Sequence, residues 1–162
     1  MMYSEEELEQ VRVLEKKRLC VAVIPAALTL AAAIGLFVYG QLIRNDQLWM
    51  VTTALSILSG CYFFFMYGLY VRPMHMYRVH IDTMLHGRRH EASGVLKSIN
   101  EKISLKNEVE CCSFILNVGE MDDEEDDRLF YYDVHKGKLD IPLGTRISIQ
   151  SNDMMVADYR VC

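Results

Sequence analysis

His75, His80, His86 and His90 fall within sixteen residues, and a histidine cluster of that density could hold a metal ion or sense pH. His86 and His90 stand four apart, the spacing that places two ligands on one helix face. Gly87 lies between them, however, and glycine at that point is a helix stop. Histidines lying among basic residues at a membrane interface are therefore the expected reading, and no metal or cofactor is expected.

Cys112 with His135 could be written as a nucleophile and its base, but any cysteine and histidine in a small domain could be paired so, and Cys111 or Cys112 is expected as a buried small apolar residue. The chain carries no G-x-S-x-G, H-E-x-x-H, P-loop or Rossmann glycine pattern, and no enzyme is expected. Its five cysteines, Cys20 and Cys61 in the apolar runs and Cys111, Cys112 and Cys162 beyond them, form no C-x-x-C pair and are read as reduced thiols, consistent with a cytosolic face. Gly119 to Asp127 reads GEMDDEEDD. Asp122, Glu124 and Asp126 alternate somewhat like a calcium loop, yet the central glycine and the twelfth-position glutamate are missing, so a solvated loop is expected. Phe130-Tyr131-Tyr132 could stack on bases, but neighbouring strand residues face opposite ways, and packing in the core and at its rim is the expected role.

The elements that would position these groups begin in the membrane. Leu19–Ile43 and Gln47–Val71 are uncharged runs of 25 residues each. At about 1.5 Å per residue each exceeds the ~30 Å hydrocarbon layer, and backbone groups in lipid must bond internally. Two transmembrane helices are expected, joined by an outer turn at 44–46 into a hairpin spanning 19–71. Lys16-Lys17-Arg18 followed by an apolar stretch to Ala31-Ala32-Ala33 imitates a cleaved signal peptide. Cleavage is not expected, because the leader opens on Glu5-Glu6-Glu7 and the apolar run continues past the alanines.

Lys16, Lys17, Arg18, Arg72, Arg78, Arg88 and Arg89 flank the spans and are expected to contact anionic headgroups, against Arg44 alone in the turn. Both termini are thereby expected on the cytoplasmic side of a cell membrane. Ala27, Ala31 and Gly35 on the first helix, and Thr52, Ser56 and Gly60 on the second, recur four apart as helix-packing positions. They would close the hairpin on itself or support a homo-oligomer. Neither span carries Asp, Glu, Lys, Arg or His, which argues against a self-contained pump.

Residues 1–18 read as an amphipathic helix capped by Ser4 with Glu7 three residues on. Residues 72–90 read as a juxtamembrane basic amphipathic helix with Met74, Tyr77, Ile81 and Met84–Leu85 on its apolar side. From Glu91 to Cys162 five short runs alternate with turn residues: Val95–Ile99, Val109–Val118, Leu129–Val134, Thr145–Gln150 and Met154–Val161. They predict a small cytoplasmic all-β domain, a five-stranded antiparallel barrel of OB or SH3-like type. Beyond Val71 the chain has twelve basic against sixteen acidic residues, which argues against a nucleic-acid partner.

Two spans followed by a small β-domain is similar in layout to several bacterial membrane proteins, among them the NfeD type with its OB domain. The glycine-and-proline signature of that type is matched here only at Pro142-Leu143-Gly144, and no family is claimed. The function expected is that of a non-catalytic membrane-anchored interaction or scaffold module whose β-domain meets a protein partner. An oligomeric pore or accessory subunit of a transport complex is the alternative, and a metal or redox sensor built on the histidines or Cys111 and Cys112 a third.

Overall fold

A computed structural model describes residues 2–44, 47–119 and 123–162. Asn45 and Asp46 of the expected outer turn, and Glu120, Met121 and Asp122 of the acidic loop, lie outside them. The chain divides into two compact units, Arg12–His75 on the one hand and the residues up to Val11 with Met76–Cys162 on the other.

The first unit is a helical hairpin. Helix α1, Glu5–Leu42, and the continuous helix Leu48–His86 are both long and apolar enough to cross a membrane. The second divides into α2, Leu48–Met66, a π-helical turn at Tyr67–Val71, and α3, Arg72–His86. The π turn has a local cause. Pro73 has no N–H for the carbonyl four residues back, and its ring crowds that carbonyl, so the helix widens just ahead of it. Pro25 does the same to the carbonyl of Val21 in α1. There the hydroxyl of Tyr62 donates to Val21 O at 3.0 Å, and one turn on Ser59 Oγ donates to Ala26 O at 2.8 Å. Side chains of α2 thus satisfy backbone acceptors beside the proline of α1.

The second unit is a five-stranded mixed sheet with the ends of α1 and α3 packed in. Its strands are β1, His90–Lys106; β2, Val109–Asn117; β3, Asp127–Asp133; β4, Arg146–Asn152; and β5, Met155–Val161. Hydrogen-bonded neighbours run β1-β2-β3-β5-β4, with β4 also paired to β1 from Val95↔Arg146 to His90↔Ser151. The sheet departs from the expected antiparallel arrangement at one place. The β3–β5 junction is parallel and narrow, a single register pair Tyr131↔Met155 with Tyr131 N donating to Met154 O at 2.8 Å.

Alternation places Leu96, Phe114, Leu116, Phe130, Tyr132, Ile147, Ile149 and Val156 in one core, which Ile141 completes. Tyr131, on the opposite face of its strand, lies under the Lys106 ammonium at 4.9 Å. Two hairpin turns need positive φ at both central residues: Asn107 (53°) and Glu108 (64°) join β1 to β2, while Asp153 (46°) and Met154 (66°) join β4 to β5. This is the mirror-image turn that matches strand twist, and Asn and Asp at its first position tolerate the left-handed region. Strand β1 runs seven residues past the expected Ile99, because a register shift between Asn100 and Ser104 absorbs its polar middle.

Candidate functional site

Among the described residues a dense polar cluster lies in the second unit and draws on four separate stretches of chain. Ser4 caps α1, its Oγ accepting from Glu7 N at 3.2 Å. Tyr3 just outside the cap and Leu8 inside it are both buried, the pair of positions that staples a helix start. This start delivers the Tyr3 hydroxyl between two groups far away in sequence: His80 Nε2 of α3 at 3.0 Å and Asp133 Oδ2 at the end of β3 at 3.3 Å. Asp133 is wholly buried, and its other oxygen accepts from His135 N at 2.9 Å and faces His135 Nδ1 at 3.0 Å. Tyr77 packs between the two imidazoles, its ring 4.9 Å from His135 and 6.3 Å from His80. Glu7 accepts from the Tyr77 hydroxyl at 3.3 Å and pairs with Lys136, whose ammonium lies 4.4 Å over the Tyr3 ring.

The electrostatics follow from burial. Removal from water, reinforced by the charge on Asp133, pushes the phenols of Tyr3 and Tyr77 well above the ordinary tyrosine range. Burial also lowers the pKa of His80, against the pull of Asp133, so its ring stays neutral. Hydrogen-bond direction then fixes the tautomer. A phenol has one hydrogen, and Tyr3 gives it to Asp133. The phenol oxygen accepts from Nε2–H of His80, and the lone pair of the neutral ring sits on Nδ1. The cluster holds the N-terminal segment on the sheet and fixes one histidine in one tautomer. Its carboxylate, phenols and ammonium are committed to one another.

The other singled-out residues are dispersed. His75 Nδ1 meets Glu15 Oε1 at 2.7 Å in the hairpin unit, His86 lies between Glu5 and Asp82, and His90 is exposed at the start of β1. Among the described residues no three His, Cys, Asp or Glu side chains converge as a metal site. Cys112 Sγ lies 3.9 Å from Glu101 O, and His135 is engaged with Asp133. Cys111 is buried with its sulfur 3.8 Å from Met155 Sδ, and burial pushes its thiol up to about 11. At pH 8 about a thousandth of that thiol is ionised. Cys111 should stay unlabelled by maleimide in the folded protein while the exposed Cys162 reacts; peptide mass spectrometry before and after denaturation checks this.

Of the expected packing positions Thr52 is buried and Gly60 half-buried, while Ala27, Ala31, Gly35 and Ser56 are exposed. The residues buried along the hairpin are Ala22, Ala26, Ala33, Gly40, Thr52, Ser59 and Val71. Of the expected headgroup residues Lys16, Lys17, Arg72 and Arg88 are exposed and Arg78 is half-buried. Arg18 donates to Tyr70 O at 3.2 Å beside the π turn. Arg89 caps α3 through Met84 O and Leu85 O, both at 3.0 Å. The apolar side of α3 is spent on its own unit, with Ile81 and Met84 buried. In the acidic loop Asp123 Oδ1 accepts from Glu125 N. Asp127 accepts from Asn117 Nδ2 at 2.7 Å and pairs with Lys97; the Asn117 hydrogen bond first, and Lys97 after it, hold its carboxyl below the usual range.

Tyr3, Asp133 and Lys136 were not singled out by the sequence. The staple of Tyr3 with Leu8 around the Ser4 cap was the one legible signal, since it predicts a buried residue ahead of α1. No family model, no curated protein and no solved structure matches the chain.

Proposed function

We propose that this protein is a two-span integral membrane protein of the cell membrane, acting as a non-catalytic anchored module. In this reading both termini are cytoplasmic and the β-domain meets a protein partner at the inner surface. The observation that carries it is the surface of the hairpin. Leu28, Leu58, Phe64 and Phe65 are 66, 67, 75 and 61 % exposed on helices whose apolar runs hold no charge. Water would penalise that surface by roughly 25 cal/mol per Å², whereas lipid covers it at no cost. Lys16, Lys17, Arg18, Arg72, Arg78, Arg88 and Arg89 supply the positive side and the affinity for anionic headgroups.

For the β-domain we favour an OB-like barrel over an SH3-like one. The order β1-β2-β3-β5-β4 with a parallel β3–β5 contact supports that choice. Anchoring confines its encounters to two dimensions and raises effective concentration without new contacts. Ile103 and Leu105, 61 and 73 % exposed on the outer arm of β1, are the apolar positions best placed to meet a partner.

A photocrosslinking residue at position 105, activated in intact cells, tests this. The reading predicts one discrete adduct with another protein. Adducts confined to lipid and chaperones would overturn it. The alternative, an oligomeric pore or an accessory subunit of a transport complex, is favoured by the open face along Ala27, Ala31 and Gly35, where nothing lies within 4 Å of a Cβ added at Gly35. For a pore, the product would be a ladder of multiples of this chain.

A further inference from the structure

Beside the Tyr3–His80–Asp133 chain lies a cavity of about 190 Å³, bounded by α3 and by the two mirror-image turns at Asn107 and Asp153. Its lining is rich in sulfur: Met76 and Met84 come from α3, Met155 from the start of β5, and His80 lies between the two helical methionines. These three positions of α3, 76, 80 and 84, are spaced four apart and share one face of the helix. The Cys111 sulfur stands behind Met155, 3.8 Å from its Sδ.

We propose that this cavity binds one Cu(I) ion through Nδ1 of His80 and the thioether sulfurs of Met84 and Met155. Thioethers are soft, neutral donors that select a soft monovalent ion and hold Zn²⁺, Mg²⁺ or Ca²⁺ poorly. The imidazole is prepared in the way ligating histidines are. Its Nε2–H is donated to Tyr3, and Tyr3 in turn donates to the buried carboxylate of Asp133, so the lone pair is on Nδ1 and the ring cannot rotate freely. Among the described residues Nδ1 has no hydrogen-bond partner.

Helix geometry chooses between the two methionines of α3. Each lies about 6 Å along the axis from His80, but side chains on a helix lean toward its N-terminus. Met84 leans back toward the turn that carries His80, and Met76 leans away from it. Met76 is therefore wall, and Met155 approaches from the sheet as the second thioether. Cys111 stands behind Met155, is not part of the cavity lining and lies outside the set.

The test uses the full chain in detergent with Cys20, Cys61, Cys112 and Cys162 changed to serine, so that accessible thiols contribute no binding. Anaerobic titration with Cu(I) against bicinchoninate should give one ion per chain, and X-ray absorption should show mixed nitrogen and sulfur scattering. M84L/M155L conserves volume and should keep the fold by circular dichroism while weakening Cu(I) at least a hundredfold. Tyr3→Phe removes the acceptor for Nε2–H and should weaken it about tenfold. No retained ion in the parent, or affinity in M84L/M155L within threefold of the parent, would overturn the site.

Discussion

Replacing Asp133 by alanine is expected to destabilise the β-containing unit by about 3 kcal/mol, the cost of removing one member of a buried, hydrogen-bonded charge network. The substitution strips the buried Tyr3 hydroxyl and the backbone N–H of His135 of their acceptor. Hydrogen exchange in strands β2 and β3 reports the loss directly: their amides should exchange roughly a hundredfold faster in the variant. Tyr3→Phe removes both hydrogen bonds of the hydroxyl, the one to Asp133 and the one from His80, and should cost about 2 kcal/mol. In the double variant the two effects should add to less than their sum, because Tyr3 acts through Asp133. Equal protection in wild type and D133A would mean that the cluster contributes nothing to holding the sheet and the N-terminal segment together.

The double substitution Leu28→Arg with Leu58→Arg is expected to abolish membrane integration. Both leucines are two-thirds exposed near the middle of their apolar runs, and neither contributes to the buried seam at Ala22, Ala26, Ala33, Thr52 and Ser59. For a helix surface in water, leucine to arginine at an exposed position changes stability by about 0.5 kcal/mol or less. At the centre of a bilayer each arginine costs about 3 kcal/mol on an insertion scale, and two should offset most of what the apolar residues of the hairpin contribute. Membrane-fraction yield after expression separates the two cases: the variant should fall to a small fraction of wild type, whereas an unchanged distribution would place these leucines against water.

Local chemistry made much of the fold legible. The strands could be placed because Thr145, Ile147 and Ile149 alternate cleanly and because turn residues cluster between runs, and the structure has a strand at each of the five places. The cap at Ser4 was readable from its partner three residues on. Where the reading fell short, the cause was distance or degeneracy. Tyr3 is 77 residues from His80 and 130 from Asp133, so no local pattern joins them. The sequence Ala26-Ala27 and Ala31-Ala32-Ala33 offers several stripes of small residues, and spacing alone favours none of them. What selects the observed face is Pro25: the acceptor it strands at Val21 is met by Tyr62, and Ser59 to Ala26 lies on that same side. The turn at Asp153-Met154 went one residue past the expected Ser151-Asn152-Asp153 because methionine is a rare second residue in a mirror-image turn. The parallel contact of β3 with β5 follows from tertiary closure of the sheet and leaves no periodic trace.

The helical hairpin as a lipid-covered element is the premise from which sidedness, anchoring and partner encounter all descend. Density-gradient flotation of the untagged wild-type chain, after washing membranes in alkaline carbonate, tests it most directly. The protein should rise with the lipid band and leave it only on addition of detergent. Recovery in the unfloated aqueous fraction, as a folded soluble species, would contradict the account.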